Sequence, residues 1–123
     1  MATIADKVLD DGLNTLTNDA NRVDITSQEA TSYTDATSTS TLGNTTSITI
    51  SSPADRTGGG RKVTLSAISG GSVTATGTAT HYSISDTTNS VLLVTGSLTA
   101  SQSVTTGNTF SLEALDVGIP DPS

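Results

Sequence analysis

The sequence predicts a mainly β protein, a small β-sandwich or barrel of about six strands with one N-terminal α-helix. Two observations support this fold class. Short stretches in which apolar and polar residues alternate recur along the chain, separated by turns rich in Gly, Asn and Asp. Only one stretch, near the N-terminus, has its apolar residues at helical spacing. Because 123 residues leave room for little more than one domain, we expect a single domain over 1–123.

The predicted helix covers residues 3–17. Its apolar residues recur at helical spacing and form one stripe, made of Ile4, Val8, Leu9, Leu13 and Leu16. Thr3 followed by Asp6 resembles a capping box, and a carboxylate is also favourable near the N-terminal end of a helix. We therefore expect an amphipathic helix that packs across the sheet.

The strands are predicted from alternation with a period of two. We expect them at 22–26, 46–51, 62–68, 73–86, 90–98 and 109–117. The Ser-Gly-Gly of 69–71 is expected to turn the chain and join its two flanking strands as a hairpin. The Asp-Thr-Thr-Asn of 86–89 is expected to form the next turn. Residues 91–94 are continuously apolar, which is typical of a central strand covered on both faces.

The strand 73–86 contains the only histidine of the chain, His81. Near this residue the larger apolar side chains move from the odd-numbered to the even-numbered face of the strand. Such a change requires a bulge, a bend at Gly77, or cover on both faces.

Three segments have no periodic pattern. Residues 27–41 are rich in Thr and Ser, with Tyr33 as the only large residue, and are expected to form an extended arm or an irregular loop. Residues 53–61, PADRTGGGR, are expected to form a loop that Pro opens and three consecutive Gly make flexible. Residues 118–123 are expected to form an extended tail that two prolines stiffen. The β-rich body is thus expected over 46–117.

The charge of the chain restricts its partners. The formal net charge is −7 and there are only five basic residues, which argues against nucleic acid and against an anionic membrane surface. Cysteine is absent, so disulfides and thiolate metal sites are excluded. The N-terminal stretch carries acids where a signal peptide would carry basic residues, and no stretch reaches the roughly 20 apolar residues of a membrane span. We expect a soluble protein made in the cytoplasm.

The hydrophobic core is expected to be thin. Trp is absent, and the aromatic residues are Tyr33, Tyr82 and Phe110. Each buried aliphatic side chain contributes only about 1.5–3 kcal/mol, against roughly 1–2 kcal/mol of backbone entropy for each ordered residue. A protein that buries a second surface against neighbours in an assembly would offset this deficit.

His81 is the natural candidate for a general base. A base needs a nucleophile and an orienting acid within hydrogen-bond reach, and the nearest candidates in sequence are Ser83 and Asp86. Neighbours on one strand rarely form a triad, and the chain has no G-x-S-x-G elbow. The NDANRVD stretch at 18–24 faintly resembles a calcium loop but lacks its glycine and its closing Glu. We therefore expect no enzyme, no catalytic or metal-binding residue and no cofactor.

Three of the five basic residues lie close together in and beside the glycine-rich loop: Arg56, Arg61 and Lys62. The loop either is simply solvated or serves as an electrostatic docking point for an acidic partner. These three residues are the candidates for partner binding. Reversing all three to Glu is expected to weaken that binding without unfolding the domain.

Three segments carry a resemblance: LDDGLNTL, TATGTATHYSISD and LLVTGSLTASQSVTTGNTFSLEALDVGIPDP. They resemble small proteins encoded in tailed-phage and prophage genomes. The resemblance implies a structural component of a virion, and a capsid decoration or cement protein best fits the size, acidity, Thr-rich strands and thin core. The expected partners are then the major capsid protein and further copies of the chain, as a trimer or dimer. The protein would be synthesised in the bacterial host cytoplasm and located on the outer capsid surface.

Two alternatives remain open from the sequence. A tail, neck or fibre component of the same virion would suit the Thr-rich segment 27–41. The other alternative is a cellular β-sandwich module that binds a ligand. Such modules usually present exposed aromatic side chains, and this chain has few aromatic residues.

Overall fold

Residues 5–120 are described by a computed structural model. With 49% strand and 18% helix, one N-terminal helix and a curled six-stranded sheet, the chain has the mainly β fold class that the sequence predicts. Ile4 and the Thr3–Asp6 capping box involve residues outside the described ones. The end of the expected tail, 121–123, also lies outside them.

The helices and strands have the following bounds in chain order. They are α1 (Asp6–Asp19), β1 (Arg22–Thr26), a π-helical segment (Asp35–Thr39), β2 (Thr41–Thr45), β3 (Ala54–Asp55), β4 (Arg61–Leu65), β5 (Ile68–Val73), β6 (Gly77–Asp86), β7 (Val91–Val104), β8 (Thr109–Leu112) and β9 (Leu115–Ile119).

The chain groups into two compact units. The described residues of the first unit fall in 5–19, 49–67 and 113–120, and those of the second in 20–48 and 68–112. The expectation of a single domain stays a prediction.

The first unit contains α1 and an antiparallel sheet in the order β3-β4-β9. Its buried apolar side chains are Leu9, Leu13, Leu16, Val63 and Leu65. Val8 was expected in the buried stripe of the helix, but its side chain is 63% exposed. The buried leucines define the face of α1 that packs on β4, and Val8 is rotated about 100° around the helix from Leu9.

The second unit contains an antiparallel sheet in the order β7-β6-β1-β2-β5-β8. Its buried apolar side chains include Val23, Ile25, Leu42, Ile68, Val73, Ala79, Ile84, Val104, Phe110 and Leu112. The sheet curls until its two edge strands approach, and the Gln102 side chain of β7 donates a hydrogen bond of 3.0 Å to the Ser111 carbonyl of β8. β1 occurs at the bounds that the sequence predicts, because Val23 and Ile25 alternate with polar residues there.

The structure corrects the expectation of an extended or irregular segment at 27–41. Residues 35–39 are helical instead, and β2 begins at Thr41. Asp35 makes the turn possible: its carboxylate accepts from the Thr31 N–H (3.0 Å) and the Ser40 hydroxyl (2.5 Å). Short polar side chains that bond the nearby backbone favour such local turns over extended chain.

The strand expected at 46–51 is not formed. Only Ile50 pairs there, with Leu65 of β4. The backbone bonds on either side of this pair are the Ser51 N–H to Thr64 O and the Ser66 N–H to Thr49 O, both 2.9 Å. The ladder then ends because Pro53 has no N–H and restricts the residue before it to fewer conformations.

The turn expected at 69–71 is also wrong, because these residues lie within β5. β4 pairs with β3 and β9, so it forms no hairpin with the strand that follows it. Gly71 is required by contact with a distant aromatic ring, because a Cβ at this position would overlap the ring of Phe110 on β8. The pattern that indicated a turn is therefore a site of close approach.

The second half of the chain departs from the expected strands. A register shift occurs between Ala79 and His81, but the extra residues, 98–101, lie on β7, so this bulge does not change the faces of β6. Residues 83–86 of β6 are all buried, which is the cover on both faces that the sequence left open. β7 extends to Val104, through much of the connection expected at 99–108, and it lies at the edge of its sheet rather than at the centre. The strand expected at 109–117 is divided into β8 and β9, which belong to different units.

Candidate partner-binding site

The three basic candidates lie on one β-hairpin of the first unit. β3 pairs with the start of β4, with Asp55 opposite Arg61 and Ala54 opposite Lys62. Residues 58–60 connect the strands, and their φ angles are +92°, +103° and +92°, which only glycine adopts without strain. The Arg56 N–H donates to the Gly60 carbonyl at 3.1 Å and so closes the loop. The glycine run thus shapes a tight turn that fixes the backbone of Arg56.

Arg61 is committed to partners in its own unit. Its guanidinium donates to Asp10 of α1 at 2.8 Å and to Asp55 at 2.6 Å, and Asp6 lies 3.8 Å away. The hydrogen bond with Asp10, followed by that with Asp55, raises the pKa of Arg61 above its ordinary value. The side chain is only 17% exposed, so Arg61 links α1 to the hairpin rather than facing a partner.

Lys62 also has a partner within the unit. Its ammonium lies 3.0 Å from the Asp116 carboxylate of β9. The same carboxylate accepts from the Thr64 hydroxyl at 2.7 Å. This hydrogen bond from Thr64, followed by that from Lys62, lowers the pKa of Asp116. Lys62 remains about one-third exposed, so its charge is partly neutralised but still reachable.

Arg56 is different from both. Within residues 5–120 its guanidinium forms no ion pair, and its Nη1 donates to the carbonyls of Gly59 (3.0 Å) and Thr57 (3.5 Å). Its aliphatic stem lies against β9, where a Cβ at Gly118 would be 3.0 Å from Arg56 Cδ. The stem is therefore held in place by packing, while the cationic end keeps donors for another acceptor.

An open pocket of about 390 Å³ adjoins this arginine. It is lined by Arg56, Thr57, Lys62, Asp116 and Gly118. Two cations and one anion therefore face the pocket, and the anion is already engaged by Lys62 and Thr64. The arrangement suits a carboxylate ligand that bonds the Arg56 guanidinium, with Lys62 as the second positive charge.

The three cations could be predicted to lie together because they are close in the chain. The acids that neutralise two of them could not be predicted, because most of them are far away in the sequence. Asp10 is 51 residues from Arg61, and Asp116 is 54 residues from Lys62. Only Asp55 carried a usable signal, because the residue opposite a basic side chain across a short hairpin is a natural ion-pair partner.

Among the described residues, no side-chain hydrogen bond joins His81 to Ser83 or Asp86, the other two members of the triad considered for it. Its Nδ1 is 2.8 Å from the hydroxyl of Thr80. Ser83 is fully buried, and its hydroxyl has no hydrogen-bond partner among the described residues. Asp86 accepts from the side chain of Asn89 at 2.8 Å, a bond that lowers the pKa of Asp86. The expectation that the protein is not an enzyme stays a prediction.

Asp24, one of the two acids of the 18–24 stretch, has a structural partner. Asp24 is fully buried and accepts two hydrogen bonds from Arg22, at 2.8 and 2.9 Å. The Thr41 hydroxyl donates a third bond to it at 2.6 Å. The Asp24 carboxylate is therefore engaged by a guanidinium. Among residues 5–120 no group of three or more His, Asp or Glu side chains is arranged to hold a metal ion.

None of the described helices combines the length and the hydropathy that a bilayer span requires. No protein-family model, curated protein or solved structure matches the chain.

Proposed function

We propose that this protein is a phage capsid decoration, or cement, protein. It binds the outer surface of the assembled head, where its partner is the major capsid protein, and stabilises the head by bridging neighbouring capsid subunits. It is synthesised in the cytoplasm of the bacterial host and acts as a homo-oligomer. The resemblance of its segments to small phage and prophage proteins supports this class, together with its acidity and its small β-rich units.

The proposed mode of docking is inferred from the surroundings of Arg56. This residue is held on a closed hairpin beside an open pocket, with no acidic partner among residues 5–120. We infer that this guanidinium donates to a carboxylate on the capsid surface, since the planar fork of Arg matches the two oxygens of a carboxylate. Lys62 at the same pocket adds a second positive charge.

A single contact of this kind is weak. Partly exposed ion pairs contribute about 0.2–1 kcal/mol each. The affinity of a decoration protein must then come from several contacts that exist together only on the assembled lattice, so that binding stabilises the lattice over free subunits.

The first unit gains most from such binding. Its described apolar core is small and consists of Leu9, Leu13, Leu16, Val63 and Leu65. A capsid surface that covers part of this unit would remove further area from water, at roughly 25 cal/mol for each Å² of apolar surface.

The charge of Arg56 is tested by the variant Arg56→Glu in co-sedimentation with mature heads. We expect binding to weaken about three- to tenfold at low salt and to lose part of its salt dependence. The matched control is Lys7→Glu, which makes the same change of charge on a side chain that is 84% exposed on α1. Equal effects of the two variants would show that only net charge matters and would overturn Arg56 as the docking residue.

Reversing all three cations to Glu would not test partner binding cleanly, although the sequence alone suggested that it would. Arg61 bonds Asp10 and Asp55, so its reversal would place three acids together and destabilise the unit itself. A loss of binding by the triple variant would then report unfolding as readily as a lost contact.

Copy number tests the class of protein. In purified virions, quantitative mass spectrometry should give a ratio to the major capsid protein of order one. A ratio many times lower would overturn the decoration proposal and favour the tail, neck or fibre alternative. Absence from particles would overturn every virion assignment and leave the ligand-binding module.

A further inference from the structure

The outer edge of β7 carries backbone groups that no described strand pairs. β7 is the last strand of the six-stranded sheet and pairs with β6 on one side only. It is also the longest strand, Val91–Val104. A long unpaired edge is a template on which another strand can add.

Only part of this edge is free. At its C-terminal half the strand approaches β8, and Gln102 bonds the Ser111 carbonyl there. Register shifts on the β6 side fall between Ala79 and His81 and between Ile84 and Ser85. Between these two shifts, residues 94–97 pair with 81–84 without interruption. The free and regular part of the edge is therefore 94–97, with 91–93 next to it.

β7 lacks the chemical features that usually protect an edge. Its residues, VLLVTGSLTASQSV, include no charged side chain and no Pro. Proteins commonly keep edges apart with Lys, Pro or very short strands. The N-terminal half is moreover apolar: Val91 is 43% exposed, and residues 92–94 are only partly buried. Cover by another strand would remove this surface from water.

The charge pattern favours a second copy of the chain as the occupant. The protein has a net charge of −7, so two copies repel one another over most of their surface. The stretch 87–112, which contains all of β7, has no Asp, Glu, Lys or Arg. Two copies that meet there place no like charges opposite each other. An antiparallel strand paired with itself is also self-complementary across a twofold axis.

We propose that two copies of this chain associate through β7, antiparallel and edge to edge, with the twofold axis within residues 94–97. The two six-stranded sheets then continue as one sheet. This inference does not depend on the proposed capsid function, because the association forms between isolated chains.

The experiment measures the mass of the purified chain by sedimentation velocity. The expected species has twice the chain mass of 12.3 kDa. Val91→Lys places a charge at the edge and should raise the dissociation constant of the dimer at least about tenfold. Val8→Lys is the matched control, since it makes the same substitution at an exposed valine on α1 and should leave the dimer unchanged. A chain that stays monomeric up to about 1 mM would overturn the proposal, as would equal effects of the two variants.

The position of the axis is tested by single cysteines in this cysteine-free chain. Val94→Cys, Thr95→Cys, Ser97→Cys and Thr99→Cys are oxidised mildly, each alone, and Thr95→Cys is also mixed with Ser97→Cys; Val8→Cys is the control. Antiparallel pairing predicts a disulfide-linked dimer at 94, 95 or 97 alone or, for an axis at residue 96, only in the mixture, and none at 99 or 8, because only residues that face each other across the axis come within the reach of a disulfide. Crosslinking at every β7 position would indicate parallel pairing, and crosslinking in none of these samples would exclude this interface. Either result would overturn the proposal. Loss of capsid binding with the dimer intact would instead count against the proposed function alone.

Discussion

Among single residues, Asp35 shows how one carboxylate determines a local fold. It accepts hydrogen bonds from the Ser40 hydroxyl and the Thr31 N–H, while its own N–H donates to the Ser32 hydroxyl at 3.1 Å. The bond from Ser40, followed by that from Thr31, lowers the pKa of Asp35 below its ordinary value of 3.8. Hydrogen bonds to the charged form thus stabilise the π-helical segment.

The pKa of Asp35 gives a prediction about pH. Because this pKa is lower in the folded state than in the unfolded state, the carboxylate stabilises the fold above pH 3.8. That stabilisation is lost as the pH falls from the pKa that Asp35 has in the unfolded state through its lower pKa in the folded state. Asp35→Asn should therefore lower the urea midpoint at about pH 7, and the difference from the wild type should shrink at about pH 2.

Glu29→Gln is the control for this prediction. It removes the same charge from an exposed side chain of the same segment. A difference between wild type and Asp35→Asn that is the same at both pH values would show that the carboxylate's charge is not what stabilises the segment.

Among the elements, β5 and β8 pack closely because Gly71 of β5 leaves room for the ring of Phe110 of β8. Gly71→Ala should destabilise the protein by about 1–3 kcal/mol, because its Cβ would overlap the Phe110 ring in a packed site. Gly70→Ala is an adjacent control, since a Cβ there meets nothing within 4 Å. Equilibrium urea unfolding of both variants checks this. Equal stabilities would mean that Phe110 does not pack against β5 as described.

The elements also show which parts of the fold follow from local sequence. β1 and the turn after β6 could be predicted because alternation and turn residues act over a few positions. The apolar residues 91–94 indicated a covered strand, but whether a strand is central or at the edge depends on pairing between distant segments. The local sequence predicts a turn at 69–71, because the partner of Gly71, Phe110, is far away in the chain.

The candidate site could also be predicted from the sequence only in part. That Arg56, Arg61 and Lys62 lie together could be predicted, because a short hairpin holds them. That Asp10 and Asp116 neutralise two of them could not, because both acids come from other elements. Of the three candidate cations, Arg56 and Lys62 line the pocket, and Arg56 has no ion pair among the described residues.

For the whole molecule, the open physical question is whether two compact units behave as one domain. The described core of the first unit contains few side chains, and a unit this small is not expected to fold alone. The chain also enters and leaves each unit more than once, so neither unit is an independent stretch of sequence. We therefore expect one cooperative unfolding transition.

The positions of the spectroscopic groups make this expectation testable without any substitution. Tyr33 and Tyr82 both belong to the second unit, and the chain has no Trp, so intrinsic fluorescence reports that unit. The longest described helix, α1, belongs to the first unit, so ellipticity at about 222 nm reports mainly that unit. Urea transitions followed by the two signals should coincide in midpoint and slope. A helix signal that is lost at lower urea than the tyrosine signal would show that the first unit unfolds separately, and the single-domain prediction would then be wrong.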